Sequence, residues 1–107
     1  MLSVCSGKEY IKYFENGQIR SKGVYKNGKW EGEHLSYLEN GQIKSSIDYK
    51  NSKYDGLWID YYENGTIESK KTYKNSEIYK SVKYNLDGTI YGKFEWKDGK
   101  IINSKFY

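Results

Sequence analysis

Apolar and polar residues alternate along most of the chain in segments of eight to eleven residues, and short Asn/Asp-Gly pairs interrupt them at a fixed beat. The stretch YFENGQIRSKGVYKNGKW (Tyr13 to Trp30) returns as YLENGQIKSSIDYKNSKY (Tyr37 to Tyr54) and as YYENGTIESKKTYKNSEI (Tyr61 to Ile78). A looser copy, YNLDGTIYGKFEWKDGKI, runs from Tyr84 to Ile101. One series of turn signals falls at Asn16-Gly17, Asn40-Gly41, Asn64-Gly65 and Asp87-Gly88, at intervals of 24, 24 and 23. A second series, Asn27-Gly28, Asn51-Ser52, Asn75-Ser76 and Asp98-Gly99, falls between them at the same intervals. Asn-Gly and Asp-Gly between alternating segments mark hairpins, because both residues tolerate positive φ. Asn-Ser is the weaker signal of the two.

The punctuation predicts nine strands, at 8–14, 18–26, 29–38, 42–50, 53–62, 66–74, 77–85, 89–97 and 100–106. Short connections pair sequential neighbours, so the expected fold is all-β: a single-layer, twisted antiparallel meander of hairpin repeats. At ~4.8 Å per strand such a sheet is about 40 Å wide, and too little chain is left for a covering layer. Residues 8–107 form the expected repeat domain, with a flexible N-terminus at 1–7. The outer strands leave backbone groups unpaired, which predicts weak edge-to-edge self-association or a partner that adds a strand.

The first series of turns reads as three-residue turns with a glycine bulge, placing Ile19 opposite Tyr13, Ile43 opposite Tyr37, Ile67 opposite Tyr61 and Ile90 opposite Tyr84. Simple alternation then puts Ile11, Tyr25, Leu35, Ile47, Tyr49, Leu57, Ile59 and Tyr73 on that same face. The opposite face is left with Tyr10, Phe14, Trp30, His34, Leu38, Tyr54, Trp58 and Tyr62, interleaved with Arg20, Lys22, Lys44, Asp48, Glu68 and Lys70. Segment 77–86 is one residue short, so alternation flips there or the strand becomes irregular.

Composition supports strands: thirteen tyrosines, no proline, no alanine. The net charge of +4 permits acidic or phosphate-bearing partners without requiring them. Its distribution is more informative. Glu15, Glu39, Glu63 and Asp87 mark one end of the strands; Lys26, Lys50, Lys74 and Lys97 mark the other, reinforced by Lys29, Lys53 and Lys100. No segment has the roughly 18–20 apolar residues of a transmembrane helix, so the chain reads as cytoplasmic. The alternative is a lipid anchor on Cys5, since LSVC at Leu2–Cys5 resembles the end of a lipoprotein signal.

The segment DGLWIDYYENGTIESKKTYKN, Asp55 to Asn75, closely resembles the bacterial MORN-repeat variant found in YwqK-like antitoxins, through Gly56, Trp58, Tyr61, Asn64, Gly65, Ile67 and Tyr73. A second copy matches at Gly32, Tyr37, Asn40, Gly41, Ile43 and Tyr49, with His34 in the tryptophan position. The first copy carries Lys8 and Tyr10 where the pattern has glycine and tryptophan. The resemblance implies a hairpin-repeat array whose relatives serve as antitoxins, immunity proteins, lipoproteins and scaffolds.

Enzymatic chemistry finds little to work with. A single histidine, His34, and a single cysteine, Cys5, give neither a nucleophile–base pair nor metal-ligand spacing. The expected activity is therefore non-enzymatic, with no cofactor and no metal: an antitoxin or immunity-type inhibitor that occludes a protein partner, a toxin or nuclease. Two alternatives stand beside it, a mobile-element inhibitor of a host defence nuclease and a scaffold for nucleic acid or anionic membrane. The residues expected to bind the partner are Trp30, His34, Tyr54, Trp58 and Tyr62, flanked by Lys22, Lys44 and Lys70. Lys26, Lys50 and Lys74 form a steering rim.

Overall fold

A computed structural model describes residues 7–107. Apart from Gly7, the expected flexible N-terminus lies outside the described residues, as does Cys5. Nine strands follow one another: β1 (Lys8–Tyr13), β2 (Ile19–Lys26), β3 (Lys29–Tyr37), β4 (Ile43–Lys50), β5 (Lys53–Tyr61), β6 (Ile67–Lys74), β7 (Glu77–Tyr84), β8 (Ile90–Lys97) and β9 (Lys100–Phe106). Each pairs antiparallel with its sequence neighbours in one open sheet, β1 to β9 in order, measuring 48 × 34 × 21 Å. The all-β meander is as expected, and every residue of the edge strands β1 and β9 is exposed.

The two turn series have different chemistry. In the first, Gly17 N–H donates to the Phe14 carbonyl (3.0 Å), Phe14 N–H donates to the Gln18 carbonyl (2.8 Å), and Gly17 sits at φ +88°. That is a three-residue turn closed by a glycine in the left-handed region, and it recurs at Gly41, Gly65 and Gly88. The Asn or Asp before each glycine caps the strand that follows: Asn16 Oδ1 accepts Gln18 N–H at 2.9 Å, and Asp87 Oδ1 accepts Thr89 N–H at 3.0 Å. The Thr89 hydroxyl and backbone hold the Asp87 carboxyl below its ordinary range.

The second series is of two-residue turns, with Lys26 opposite Lys29, Lys50 opposite Lys53, Lys74 opposite Glu77 and Lys97 opposite Lys100. Both residues of each turn have positive φ, Ser52 (63°) and Ser76 (66°) included. Serine is a strained choice there, yet it has a compensating role. Trp30 N–H donates to Ser52 Oγ (2.9 Å) while Ser52 N–H donates to the Trp30 carbonyl (3.0 Å), and Ser76 treats Tyr54 in the same way. A serine turn thus supplies an acceptor that glycine lacks, and ties each hairpin tip to the repeat before it.

Tyr13 does face Ile19, and the same pairing recurs at Tyr37–Ile43, Tyr61–Ile67 and Tyr84–Ile90. Uninterrupted alternation does not follow. Lys12 pairs with Ser21 although Tyr13 pairs with Ile19, so Arg20 is an extra residue in β2. Lys44 and Glu68 are its counterparts in β4 and β6. Each extra residue switches the rest of its strand to the other face. Tyr25, Ile47, Tyr49 and Tyr73 therefore leave the Tyr–Ile face, while Lys22, Asp48 and Lys70 join it. The positive-φ glycines Gly32 (77°) and Gly56 (114°) mark a second irregularity, where three residues oppose one and alternation is preserved. In the shortened segment the corresponding irregularity shrinks to the single extra residue Tyr79, and the meander continues unbroken.

Among the described residues no large apolar side chain is fully buried. Of the described residues, Gly23, Ser46 and Gly92 alone are buried. Packing energy must therefore come from side chains lying against their neighbours within each face.

Candidate functional site

On one face, rings from six consecutive strands form a continuous band. Tyr25 and Trp30, opposite one another across a two-residue turn, lie 4.3 Å apart by centroid, and Tyr10 meets Tyr25 at 5.5 Å. His34 meets Trp30 edge-on at 4.9 Å and Tyr49 at 6.0 Å. Tyr49 and Tyr54 are 5.5 Å apart, and Tyr54 contacts Trp58 (4.9 Å) and Tyr73 (5.3 Å). Edge-to-face and tilted pairs at these separations suit the ring quadrupoles. The band depends on a missing side chain: a Cβ on Gly23 would stand 2.5 Å from His34 Cδ2 and 2.8 Å from Trp30 Cζ3. Glycine there lets both rings lie down on β2.

Beside the rings runs a polar row fixed by register: Lys12 opposite Ser21, Ser21 opposite Ser36, Ser36 opposite Ser45, Ser45 opposite Asp60, Asp60 opposite Ser69. Asp60 Oδ1 accepts the Trp58 indole N–H at 3.2 Å, and its Oδ2 lies 3.3 Å from Ser69 Oγ and 3.8 Å from Lys71 Nζ. The Lys71 ammonium also stands 5.2 Å from the Trp58 ring centroid, in cation–π range. Burial and the nearby Lys12 charge lower the pKa of His34, favouring the neutral ring at neutral pH.

The recurring glycine, aromatic and turn positions match the family model described as "MORN repeat variant" over residues 7–27, 30–51 and 54–75. The chain belongs to the MORN repeat variant family. A comparison with curated proteins finds no match. MORN repeats are generally protein- or membrane-binding modules and generally non-catalytic. Strands β7–β9 lie outside the matched repeats, yet β7 and β8 keep the same Tyr–Ile pairing, Tyr84 with Ile90.

Within this MORN array, Trp30, His34, Tyr54 and Trp58 sit together in the band. Tyr62 stands apart from it, its hydroxyl donating to the Tyr84 carbonyl at 2.7 Å. Lys44 borders the same side as Trp30 and His34. Lys22 and Lys70 do not flank the band: they pair with Leu35 and Val82, and the extra residues Arg20 and Glu68 turn them to the opposite face. Lys26, Lys50 and Lys74 end their strands at the hairpin tips, where Lys29, Lys50, Lys53 and Lys74 line a cleft of about 360 Å³. By alternation the lysines of this rim belong to the face away from the rings.

Simple alternation missed Tyr25, Tyr49 and Tyr73 as members of the band. A sequence signal for them exists. Two-residue turns force Tyr25 opposite Trp30 and Tyr49 opposite Tyr54, hence onto one face. Among the described residues no three His, Cys, Asp or Glu side chains gather as metal ligands.

Proposed function

We propose that this MORN protein is a non-enzymatic protein-binding module of the antitoxin or immunity type, and that its aromatic face occludes a toxin or nuclease. The observation that carries the reading is the partly exposed ring band across β1–β6, which no second layer covers among the described residues. Trp and Tyr bury large area at small conformational cost, and they are enriched among binding hot spots. Neighbouring rings hold each side chain in place before binding, so little entropy remains to be lost on association. The lysine-rich tips act at longer range. Three Lys–Lys pairs stand directly opposite one another, a mutual repulsion that an acidic partner relieves.

Affinity capture from the native host identifies the partner, and calorimetry with purified components then tests the face. Trp58→Ala, assayed where the variant is folded, is expected to weaken the complex by roughly 2 kcal/mol. Lys50→Glu is expected to slow association and reduce its salt dependence while leaving residence time nearly unchanged. Wild-type binding by both variants would show that the partner uses another surface.

A further inference from the structure

The repeats are not equivalent beside the ring band. In the Trp58 repeat, the sheet supplies an anion of its own: the Asp60 carboxylate accepts the indole N–H and lies next to Ser69 and Lys71. One repeat earlier the same positions hold His34 for Trp58, Ser36 for Asp60, Ser45 for Ser69 and Lys44 for Glu68. Both carboxylates are gone: a serine replaces Asp60 and a lysine replaces Glu68. A cleft of about 400 Å³ opens there, with Tyr10, Trp30 and His34 along one side and Lys12, Arg20 and Lys44 around it. Among the described residues no acidic side chain lines it. Ser21 and Ser36, directly opposite each other, also line it and offer hydroxyls to an anion.

We infer that this cleft receives carboxylates of an acidic, aromatic-containing segment of the protein partner, in the place that Asp60 fills in the next repeat. Three cations without a counter-charge repel one another, and an incoming carboxylate relieves that repulsion through charge-assisted hydrogen bonds. The rings alongside suit a partner aromatic. A long phosphate polymer fits less well, because one tracking along the face meets Asp60 and Glu68 about two strand spacings on, ~10 Å away. The inference rests on the protein-binding reading and adds the chemistry of what is bound.

The test uses the ¹⁵N-labelled chain and a short blocked peptide of Asp, Glu and Tyr, following the three indole N–H signals by NMR. Saturable shifts are expected at Trp30 and at the amides of Arg20, Ser36 and Lys44, with Trp58 and Trp96 unmoved. Ser36→Asp places a carboxylate where Asp60 has one and should weaken the peptide by about tenfold or more; Lys44→Glu should do the same, about 1.4 kcal/mol each. Lys93→Glu, on the other face, should change little. Absence of a shift at millimolar peptide, or undiminished binding by Ser36→Asp and Lys44→Glu, overturns the assignment. So does tighter binding of a short oligothymidylate with shifts reaching Trp58. If the captured partner still depends on Trp58 while the peptide fails, the cleft assignment alone falls; if the partner ignores Trp58, the ring face as the binding surface falls as well.

Discussion

Trp58→Ala removes the largest side chain at the β5–β6 end of the ring band, and its cost can be assembled from contacts. The indole packs on Tyr54 (4.9 Å) and Tyr73 (5.9 Å), and such pairs contribute roughly 0.5–1.5 kcal/mol each. The cation–π contact with Lys71 adds about 0.5–1 kcal/mol and the hydrogen bond to Asp60 about 1 kcal/mol. Because the site is partly open to water, the lower part of the sum applies, about 2–3 kcal/mol. Urea denaturation measures it as a lower midpoint at unchanged slope. Leu57→Ala on the opposite face is the control, since that side chain is 38% exposed, and its cost should stay below about 1 kcal/mol. Equal midpoints for the two variants would refute the claim that the ring band, rather than the Tyr–Ile face, dominates packing. The same variant is expected to lose partner affinity, so its binding has to be read on folded protein.

Three further outcomes are expected. Ser52→Ala keeps the strained positive φ and loses the acceptor for Trp30 N–H, costing about 1 kcal/mol or more, whereas Ser52→Gly relieves the strain and costs less; thermal melts rank the two. Gly65→Val, at φ +91° with open space around the added Cβ, should cost upwards of about 1 kcal/mol from backbone strain alone, seen as a lower melting temperature. His34 has a folded pKa below its unfolded value of 6.5, so the unfolded chain takes up the proton first on acidification. Its contribution is full above that value and declines as pH falls toward the folded pKa; urea midpoints at pH 7.5 and 5 should show the decline, and His34→Gln should flatten it.

Both turn series, the strand order and the Tyr–Ile pairings were legible because Asn-Gly and Asp-Gly carry their conformational requirement openly. The face of β2, β4 and β6 was not legible from alternation, because the extra residues are Arg20, Lys44 and Glu68. Nothing in an arginine, lysine or glutamate announces a bulge; the irregularities at Gly32 and Gly56 fall on glycines, a residue type that often accompanies one, but simple alternation did not use that signal. The error was nonetheless detectable. Three-residue turns put Tyr13 with Ile19, two-residue turns put Tyr25 with Trp30, and strict alternation between them would swap faces from one repeat to the next. Near-identical repeats need near-identical environments, which requires an odd residue in each hairpin. Of the candidate site, Trp30, His34, Tyr54 and Trp58 were placed together by sequence. The tyrosines that complete the band, and the displacement of Lys22 and Lys70, depended on the bulges.

Each face carries its own tyrosines, so one footprinting experiment separates them. Oxidative labelling of the free protein and of its complex with the captured partner, read by mass spectrometry, compares Tyr10, Tyr49, Tyr54 and Tyr73 in the ring band with Tyr13, Tyr61 and Tyr84 on the opposite face. Occlusion through the ring band predicts strong protection of the first group and unchanged labelling of the second. Protection of Tyr13, Tyr61 and Tyr84, with the band still labelled, would contradict it.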